Sequence, residues 1–131
     1  MFTHIKTSKE NKEVVAKLTR KLNLGTENII SRIALTYSLS QDRKFTIGDI
    51  KDSGGKEYSK AVLFGNYSDY YLGLVALHYG VHISDKDLPK FIKLHIDDGL
   101  ELLNDEINQR ANIDGFDFLV EKIESSLLSV I

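Results

Sequence analysis

The order of apolar and polar positions predicts a helix near the start of the chain, over residues 7–22. Apolar side chains return there every three or four positions, the spacing of a helix with one buried face. The members of this stripe are Val14, Val15, Leu18 and Leu22. Thr7 and Glu10 have the spacing of a capping box, in which two side chains satisfy free backbone N–H groups at a helix start. Asn23 and Gly25 predict the helix end, because both residue types tolerate left-handed backbone.

A second helix is predicted over residues 26–40, directly after this turn. Its expected buried face consists of Ile29, Ile30, Ile33, Ala34 and Tyr37. A weak alternation over residues 2–6 predicts a short strand ahead of the first helix. Strand, helix, turn, helix is the order of a ribbon-helix-helix module, in which strands of two chains pair and enter the DNA major groove.

The rest of the chain is predicted to be mostly helical, with polar breaks. Residues 41–58 interrupt the helical pattern and contain adjacent glycines. A helix over residues 66–80 is apolar on most sides, which indicates a central position or an oligomer interface. A long helix follows over residues 89–110, where Gly99 indicates a close neighbour because an interior glycine costs about 1 kcal/mol. Residues 116–131 are predicted to form a final amphipathic helix.

Length and composition predict one domain that spans residues 1–131. The 42% hydrophobic and 27% charged fractions are those of an ordinary globular protein. Cysteine is absent, which excludes disulfides and thiolate chemistry. The start of the chain lacks the apolar region of a signal peptide, and the longest apolar run, near residues 70–77, is too short to span a membrane. These features predict a cytoplasmic protein without a membrane partner.

The net charge of −2 hides an asymmetry between the two parts of the chain. Residues 1–44 carry nine Lys and Arg against four Asp and Glu, a balance of +5. Residues 45–131 carry eight against fifteen, a balance of −7. A polyanion would be attracted to the first third. The alternative interpretation is a solvated helix face whose charge is balanced elsewhere.

No motif for metal binding or catalysis stands out. His78 and His82 are four apart, but Gly80 lies between them, and neither HExxH nor two-histidine-one-carboxylate spacing occurs. We therefore predict no metal site. Serine, histidine and aspartate are all present, but no motif such as GxSxG places them together.

Two further candidates for nucleic-acid chemistry are weak. Gly55 and Lys56 resemble part of a phosphate loop, but the upstream glycine is missing and Glu57 occupies the Ser/Thr position. Tyr70 and Tyr71 could stack bases. They lie in the most apolar predicted helix, however, so a core position is the favoured interpretation.

Three stretches, taken in order, resemble the DndE family of the bacterial DNA sulfur modification (phosphorothioation) system. They are IKTSKENKEVVAKLTRKLNLGTENIISRIALTYSLS, GGKEYSKAVLFGNYSDYYLGLV and HIDDGLELL, and together they cover roughly residues 5–110. The last predicted helix, residues 116–131, lies beyond the part that resembles the family.

The resemblance implies an all-α fold, a compact helical domain with a ribbon-helix-helix-like N-terminal part. It also implies a non-enzymatic DNA-binding subunit that needs no cofactor and forms a homo-oligomer. Its partners would be the proteins that replace a non-bridging phosphate oxygen of DNA with sulfur. The absence of cysteine agrees with this, because a sulfur carrier or cluster would need a thiol.

The expected electrostatics of DNA binding do not depend on the family. Lysine and arginine side chains displace condensed counterions from double-stranded DNA, so binding should tolerate any sequence and weaken with salt. The predicted DNA-binding residues are Lys9, Lys12, Lys17, Arg20, Lys21, Arg43 and Lys44.

Two other functions remain open at this point. A ribbon-helix-helix repressor would need base-reading side chains on its strand, where only Thr3, His4 and Lys6 are available. A protein–protein adaptor would use the apolar helices, and its basic face would be merely solvated.

Overall fold

The computed structural model describes residues 3–110 and 113–130. Phe2 and Ile131, which belong to the predicted strand and the predicted last helix, lie outside the described residues. The strands are β1 (His4–Lys6) and β2 (Glu57–Ser59). The helices are α1 (Glu10–Leu22), α2 (Glu27–Ser40), α3 (Lys60–Phe64), α4 (Ser68–Tyr79), α5 (Leu88–Asn108) and α6 (Gly115–Val130), with 3-10 turns at Ile47–Asp49 and Gly65–Tyr67. The fold is therefore mostly helical, as predicted.

Helix α1 has the predicted buried stripe and the predicted end, but not the predicted capping box. Asn23 ends the helix in the left-handed conformation, with a φ of 51°. The side chain of Thr7 is buried and accepts a hydrogen bond from the backbone N–H of Lys56, at 3.1 Å. Glu10 bonds to Lys51 instead, at 3.0 Å. The predicted box is wrong because the tertiary structure supplies other partners to both side chains.

Strand β1 pairs with β2 of the same chain. The pairing is antiparallel and places Ile5 opposite Tyr58, both of which are buried. The predicted order of strand, helix, turn and helix is therefore present. The strand of this chain differs from that of a ribbon-helix-helix dimer, because one of its edges is already occupied by an intramolecular neighbour.

Helix α5 lies at the centre of the fold and packs along α2. Ile92, Ile96 and Leu100 are buried along its length. Gly99 meets the backbone of α2 so closely that an added Cβ would lie 1.8 Å from the carbonyl oxygen of Ala34. The predicted close neighbour of Gly99 is confirmed, and it sets the short separation of the two helices.

The buried face of α2 is rotated relative to the predicted one. Its buried residues are Ile30, Ser31, Ala34, Leu35 and Ser38. Ile33 and Tyr37, which were predicted to be central, lie at the border of the core with partial burial, and Ile29 is also only partly buried. The difference arises because two buried serines belong to this face, and an apolar pattern does not detect them.

Helix α4 is apolar on most sides, yet only part of it is covered. Leu72, Val75 and Ala76 are buried. Tyr70 and Leu77 are 73% and 81% exposed. The predicted core position of Tyr70 is wrong, because the helix lies at the surface and turns that side chain away from α5.

Tyr71 is half-buried and packs inward. Its ring stacks on that of Phe64, with the centroids 4.7 Å apart. Gly80 ends α4 in the left-handed conformation, with a φ of 64°. Within residues 3–110 and 113–130, no helix is long and apolar enough to cross a bilayer.

Candidate nucleic-acid interface

The outer side of helix α1 is mainly basic, although Glu13 is exposed there too. Its buried side is formed by Val15 and Leu18, which have almost no exposed surface. Lys12 and Arg20 are exposed, and their separation along the axis is about 12 Å, from eight residues at 1.5 Å each. The other exposed members of the predicted set on or beside this helix are Lys9 and Lys21. In the parts of the chain that the structure describes, no ion pair engages these four side chains.

Two acidic side chains from distant parts of the chain hold the start of α1. The backbone N–H of Ser8 donates to Asp97 Oδ1 at 3.0 Å. The backbone N–H of Lys9 donates to Asp52 Oδ1 at 2.7 Å. Hydrogen bonds from the backbone of Gly54 and Lys9 lower the pKa of Asp52. Both carboxylates lie where the positive end of the helix dipole stabilises negative charge.

The buried ammonium group of Lys93 joins three segments around that helix start. Lys93 is only 7% exposed. Its Nζ donates to the carbonyl oxygens of Lys6 and Asp52, both at 2.6 Å. The same atom lies 3.4 Å from Asp97 Oδ2. β1, the loop before β2 and α5 are thus fastened to one another, and the position of α1 is fixed with them.

Lys17 differs from the other predicted residues of α1 because its amine is already engaged. Its Nζ donates to Asn104 Oδ1 at 2.9 Å and to the side-chain oxygen of Asn108. Both asparagines lie on α5. The positive charge of Lys17 is retained, but its side chain is held against the domain.

Arg43 and Lys44 lie away from the C-terminal half of α1. Arg43 Nε lies 2.9 Å from Asp98 Oδ2, and its guanidinium lies over the ring of Phe45, 5.7 Å from the centroid. Lys44 is exposed. Arg43 borders a depression of about 300 Å³ that it shares with Ser8. The structure therefore places these two cations near the start of α1, and Arg20 and Lys21 near its end.

The shared depression also carries acidic groups, which oppose a polyanion. Lys51 bridges Glu10 and Glu101 at 3.0 and 3.3 Å. Hydrogen bonds with Glu101 and Lys51 lower the pKa of Glu10. Burial raises the pKa of Glu101. The predicted DNA-binding residues that lie outside this acidic depression are therefore chiefly those along the outer side of α1.

Behind Arg43, a buried hydrogen-bond network joins α2, α4 and α5. Ser38 Oγ lies 2.7 Å from Asp98 Oδ2 and 2.7 Å from His95 Nδ1. The hydroxyl of Tyr79 lies 2.6 Å from His95 Nε2, and the backbone N–H of Phe45 donates to that hydroxyl at 3.1 Å. The sequence contained all of these residues but no signal that brings them together.

The network assigns the proton positions of His95. An ionised carboxylate only accepts, so Ser38 donates to Asp98 and accepts from His95 Nδ1–H. His95 Nε2 then accepts from Tyr79. Burial, followed by the charges of His78 and Arg43, lowers the pKa of His95 to about 4. The ring is therefore neutral at pH 7.

The geometry of Ser38, His95 and Asp98 differs from that of a hydrolytic triad. In a triad the carboxylate orients the histidine, and the histidine takes the proton of the serine. In this chain the carboxylate accepts the serine proton directly, and the guanidinium of Arg43 pairs with the same oxygen. Ser38 also has no exposed surface. The arrangement fastens α2 to α5 and does not present a nucleophile.

Sequence reasoning missed the residues that hold the candidate interface in place. Lys93 and Asp97 are four apart within α5, and the three residues between them are buried. A charged pair at that spacing inside an apolar stretch is a signal that could have found them. The contribution of Asp52 had no such signal, because it comes from an irregular loop.

Two solved structures have a similar fold. A crystal structure of DndE from Escherichia coli B7A, involved in DNA phosphorothioation modification, matches with 20% identity and a TM-score of 0.64. A crystal structure of a DndE mutant, also involved in DNA phosphorothioation, matches with 22% identity and a TM-score of 0.66. Each match covers 79% of this chain and 98% of the other chain. The comparison with curated protein sequences gives no match.

These likenesses define the class of fold, a small mostly helical domain shared with proteins of DNA phosphorothioation. The family described as DNA sulphur modification protein DndE matches residues 4–111. The chain therefore belongs to the DndE family, as the sequence predicted.

Proposed function

We propose that this chain is a non-catalytic, DNA-binding subunit of the DNA phosphorothioation system. The observation that carries the proposal is the set of exposed cations on the outer side and flanks of α1, a helix whose start is held by Asp52 and Asp97. Family membership supplies the biological setting. The chemistry of sulfur insertion would belong to other proteins of the system, with which this chain assembles.

The physical basis of the proposed binding is the release of counterions. Each lysine or arginine that neutralises a phosphate frees condensed cations, and the gain does not depend on the base sequence. A helix that is held at its start presents its cations without the entropy loss of ordering a flexible segment. Lys12, Arg20 and Lys21 are the principal contacts in this proposal. Lys9 and Lys44 add charge at the other end of the surface.

Lys17 and Arg43 have a smaller share in the proposed contact. Lys17 is held by two asparagines of α5, and Arg43 is paired with Asp98. Moving either side chain to a phosphate would break an existing interaction. We therefore assign them a long-range electrostatic contribution and no direct contact.

A homo-oligomer is part of the proposal, and the exposed face of α4 supports it. Tyr70 and Leu77 are largely exposed, and Leu74 about half. Residues 70–81 contain no Lys, Arg, Asp or Glu, in a chain that is 27% charged. A charge-free apolar surface meets a second copy of itself across a two-fold axis without like-charge repulsion. Several copies would also multiply the basic faces and raise the avidity for DNA.

The experiment that tests the DNA contact is a salt series with random-sequence duplex DNA. The double variant Arg20→Glu, Lys21→Glu should bind more weakly than the wild type. The slope of log K against log salt should become shallower by about 2, since each phosphate contact contributes about 0.9. The matched control is Lys86→Glu, Lys90→Glu, which makes the same charge change at exposed positions before and in α5.

Two results would contradict the proposal. If both double variants lose the same affinity, the effect is one of net charge and α1 is not the contact. If the wild type does not bind at low salt, the chain acts through protein contacts alone, and the adaptor interpretation replaces this one.

A further inference from the structure

Helix α6 is an addition to the domain that the solved relatives share. The family match ends at residue 111. The two similar structures are covered over 98% of their own length by 79% of this chain. The helix Gly115–Val130 follows the matched region and belongs to none of the surfaces discussed above.

One face of α6 is fixed to the domain. Gly115 lies so close to the end of α1 that an added Cβ would be 1.8 Å from the carbonyl oxygen of Leu22. Phe118 is buried in the core. Because a glycine and a buried aromatic ring define this face, the rotation of α6 about its axis is determined.

Ion pairs fix the same orientation. Arg110 donates to both carboxylate oxygens of Glu121, at 2.8 and 2.6 Å. Lys122 pairs with Glu106 of α5, and its Nζ lies 5.3 Å from the ring centroid of Phe118. Arg110 and Lys122 are thus both engaged within the chain.

The remaining face of α6 exposes an apolar row. The four side chains, between 39% and 67% exposed, are Phe116, Val120, Ile123 and Leu127. Their spacing of four, three and four residues is that of the a and d positions that pack against another helix. A groove of about 270 Å³ runs beside this row, between α6 and α2, and is lined by Leu24, Tyr37 and Ile123 among others. The row and groove together suit a helix with a protruding apolar side chain.

The charges beside this row are acidic. Asp117 and Glu124 are exposed on α6, whereas its basic residue, Lys122, is engaged with Glu106. Two copies of this surface would repel each other, and an anionic membrane would repel it as well. A partner surface with an apolar stripe and basic residues at its edges would complement the exposed row of α6.

We propose that α6 is a docking helix for a basic amphipathic helix of a partner protein. The partner helix places its apolar stripe on Phe116, Val120, Ile123 and Leu127, and its Lys and Arg residues face Asp117 and Glu124. The assignment of this partner to the modification machinery rests on the proposed function. The contact itself does not, because it involves neither α1 nor DNA.

The contact can be tested with a designed peptide and the full chain. The probe is a helical peptide of three heptads with Leu at positions a and d, Lys at e and g, and one Trp. The chain contains no Trp, so the fluorescence reports on the peptide alone. The reference peptide carries Glu at e and g in place of Lys.

We expect the Lys peptide to bind and the Glu peptide to bind at least tenfold more weakly. Ile123→Asp should weaken binding of the Lys peptide at least tenfold, because it places a charge in the apolar row. The matched control is Ile83→Asp, the same change at an exposed isoleucine in the loop before α5, which should leave binding unchanged. Glu124→Lys should weaken the Lys peptide and strengthen the Glu peptide.

Three results would overturn the proposal. Equal binding of the two peptides would show that charge does not select the partner. Equal loss with Ile123→Asp and Ile83→Asp would remove the contact from α6. A change of oligomeric state with Ile123→Asp, in sedimentation of the chain alone, would make a second copy the occupant. Ile123→Asp should keep full DNA affinity, and Arg20→Glu, Lys21→Glu should keep peptide binding, so the two proposals fail separately.

Discussion

The hydroxyl of Ser38 donates a hydrogen bond to Asp98 across 2.7 Å, although the two residues are 60 positions apart in the sequence. This one contact sets the direction of the hydrogen bonds that follow it, through His95 to Tyr79. The hydroxyls of Ser38 and Tyr79 each donate one hydrogen bond and accept one, and His95 donates at Nδ1 and accepts at Nε2. Because the network is buried and each proton in it has one position at neutral pH, protonation of His95 would affect all its members.

The first prediction concerns acid stability and follows from His95. Its pKa is 6.5 when unperturbed and about 4 in the fold. Between these values the unfolded chain binds a proton that the folded chain does not. The contribution of neutral His95 to the free energy of unfolding is therefore complete above pH 6.5 and is lost as pH falls towards 4. We expect the loss to be roughly 1–3 kcal/mol, as 1.36 kcal/mol per pKa unit sets the scale.

Urea denaturation at pH 7 and pH 4.5 measures this effect. His95→Gln should be less stable than the wild type at pH 7, and its free energy of unfolding should change less with pH. Carboxylates titrate in both proteins, so their contribution cancels in the comparison. An identical pH dependence in the two proteins would contradict the assignment to His95.

The second prediction concerns the contact between α2 and α5. Gly99→Ala places a methyl group where the carbonyl oxygen of Ala34 lies, so the two helices must separate. We expect a loss of about 2–4 kcal/mol in the free energy of unfolding, in the range of severe overpacking. Gly73→Ala is the control, because nothing lies within 4 Å of its added Cβ; it should be neutral or stabilising by up to about 1 kcal/mol. Similar destabilisation by both changes would refute the close approach.

The third prediction concerns Lys93. Lys93→Met keeps the apolar length of the side chain but leaves the carbonyl oxygens of Lys6 and Asp52 without their donor. We expect a loss of about 2–4 kcal/mol in the free energy of unfolding, because these two carbonyl oxygens stay unpaired and Asp97 loses the adjacent ammonium group. Lys90→Met, on the same helix but exposed, should change stability by less than about 0.5 kcal/mol.

Hydrogen exchange would locate the effect of Lys93. The backbone N–H groups of Ser8 and Lys9 should exchange faster in Lys93→Met, since their acceptors Asp97 and Asp52 lose a common anchor. Unchanged exchange at these two positions would mean that the start of α1 is held independently of the ammonium group.

The fourth prediction separates two classes among the predicted DNA-binding residues. Arg43→Gln breaks the pair with Asp98, so it should lower thermal stability while changing the salt slope of DNA binding only slightly. Arg20→Gln should leave thermal stability unchanged and should lower the salt slope by about 0.9. Parallel thermal melts and binding series measure both quantities. The opposite pattern would assign the DNA contact to the loop after α2 and not to α1.

Local pattern was sufficient to predict most of the helical structure. The turn at Asn23, the stop at Gly80 and the tight packing at Gly99 all depend on backbone conformation or side-chain size. Such properties belong to single residues and their neighbours in sequence. They are therefore visible without knowledge of the tertiary structure.

The errors arose where distant residues compete with local ones. Thr7 could bond locally to complete a capping box, but the backbone of residue 56 is its partner in the fold. Tyr70 has the residue type of a core position, and only the packing of α4 on α5 shows that it points outwards. The seven predicted DNA-binding residues were chosen by charge, and charge alone could not indicate that Lys17 and Arg43 have intramolecular partners.

The bond between Ser8 and Asp97 joins residues that are 89 positions apart, and this separation has a consequence for synthesis of the chain. The ribosome releases the basic N-terminal segment first, but two of the groups that anchor it, Lys93 and Asp97, are made only when α5 has been translated. Until then the segment has Asp52 but lacks both Asp97 and the ammonium of Lys93. A product that terminates before α5 would contain every cation proposed to touch DNA, without the frame that orients them.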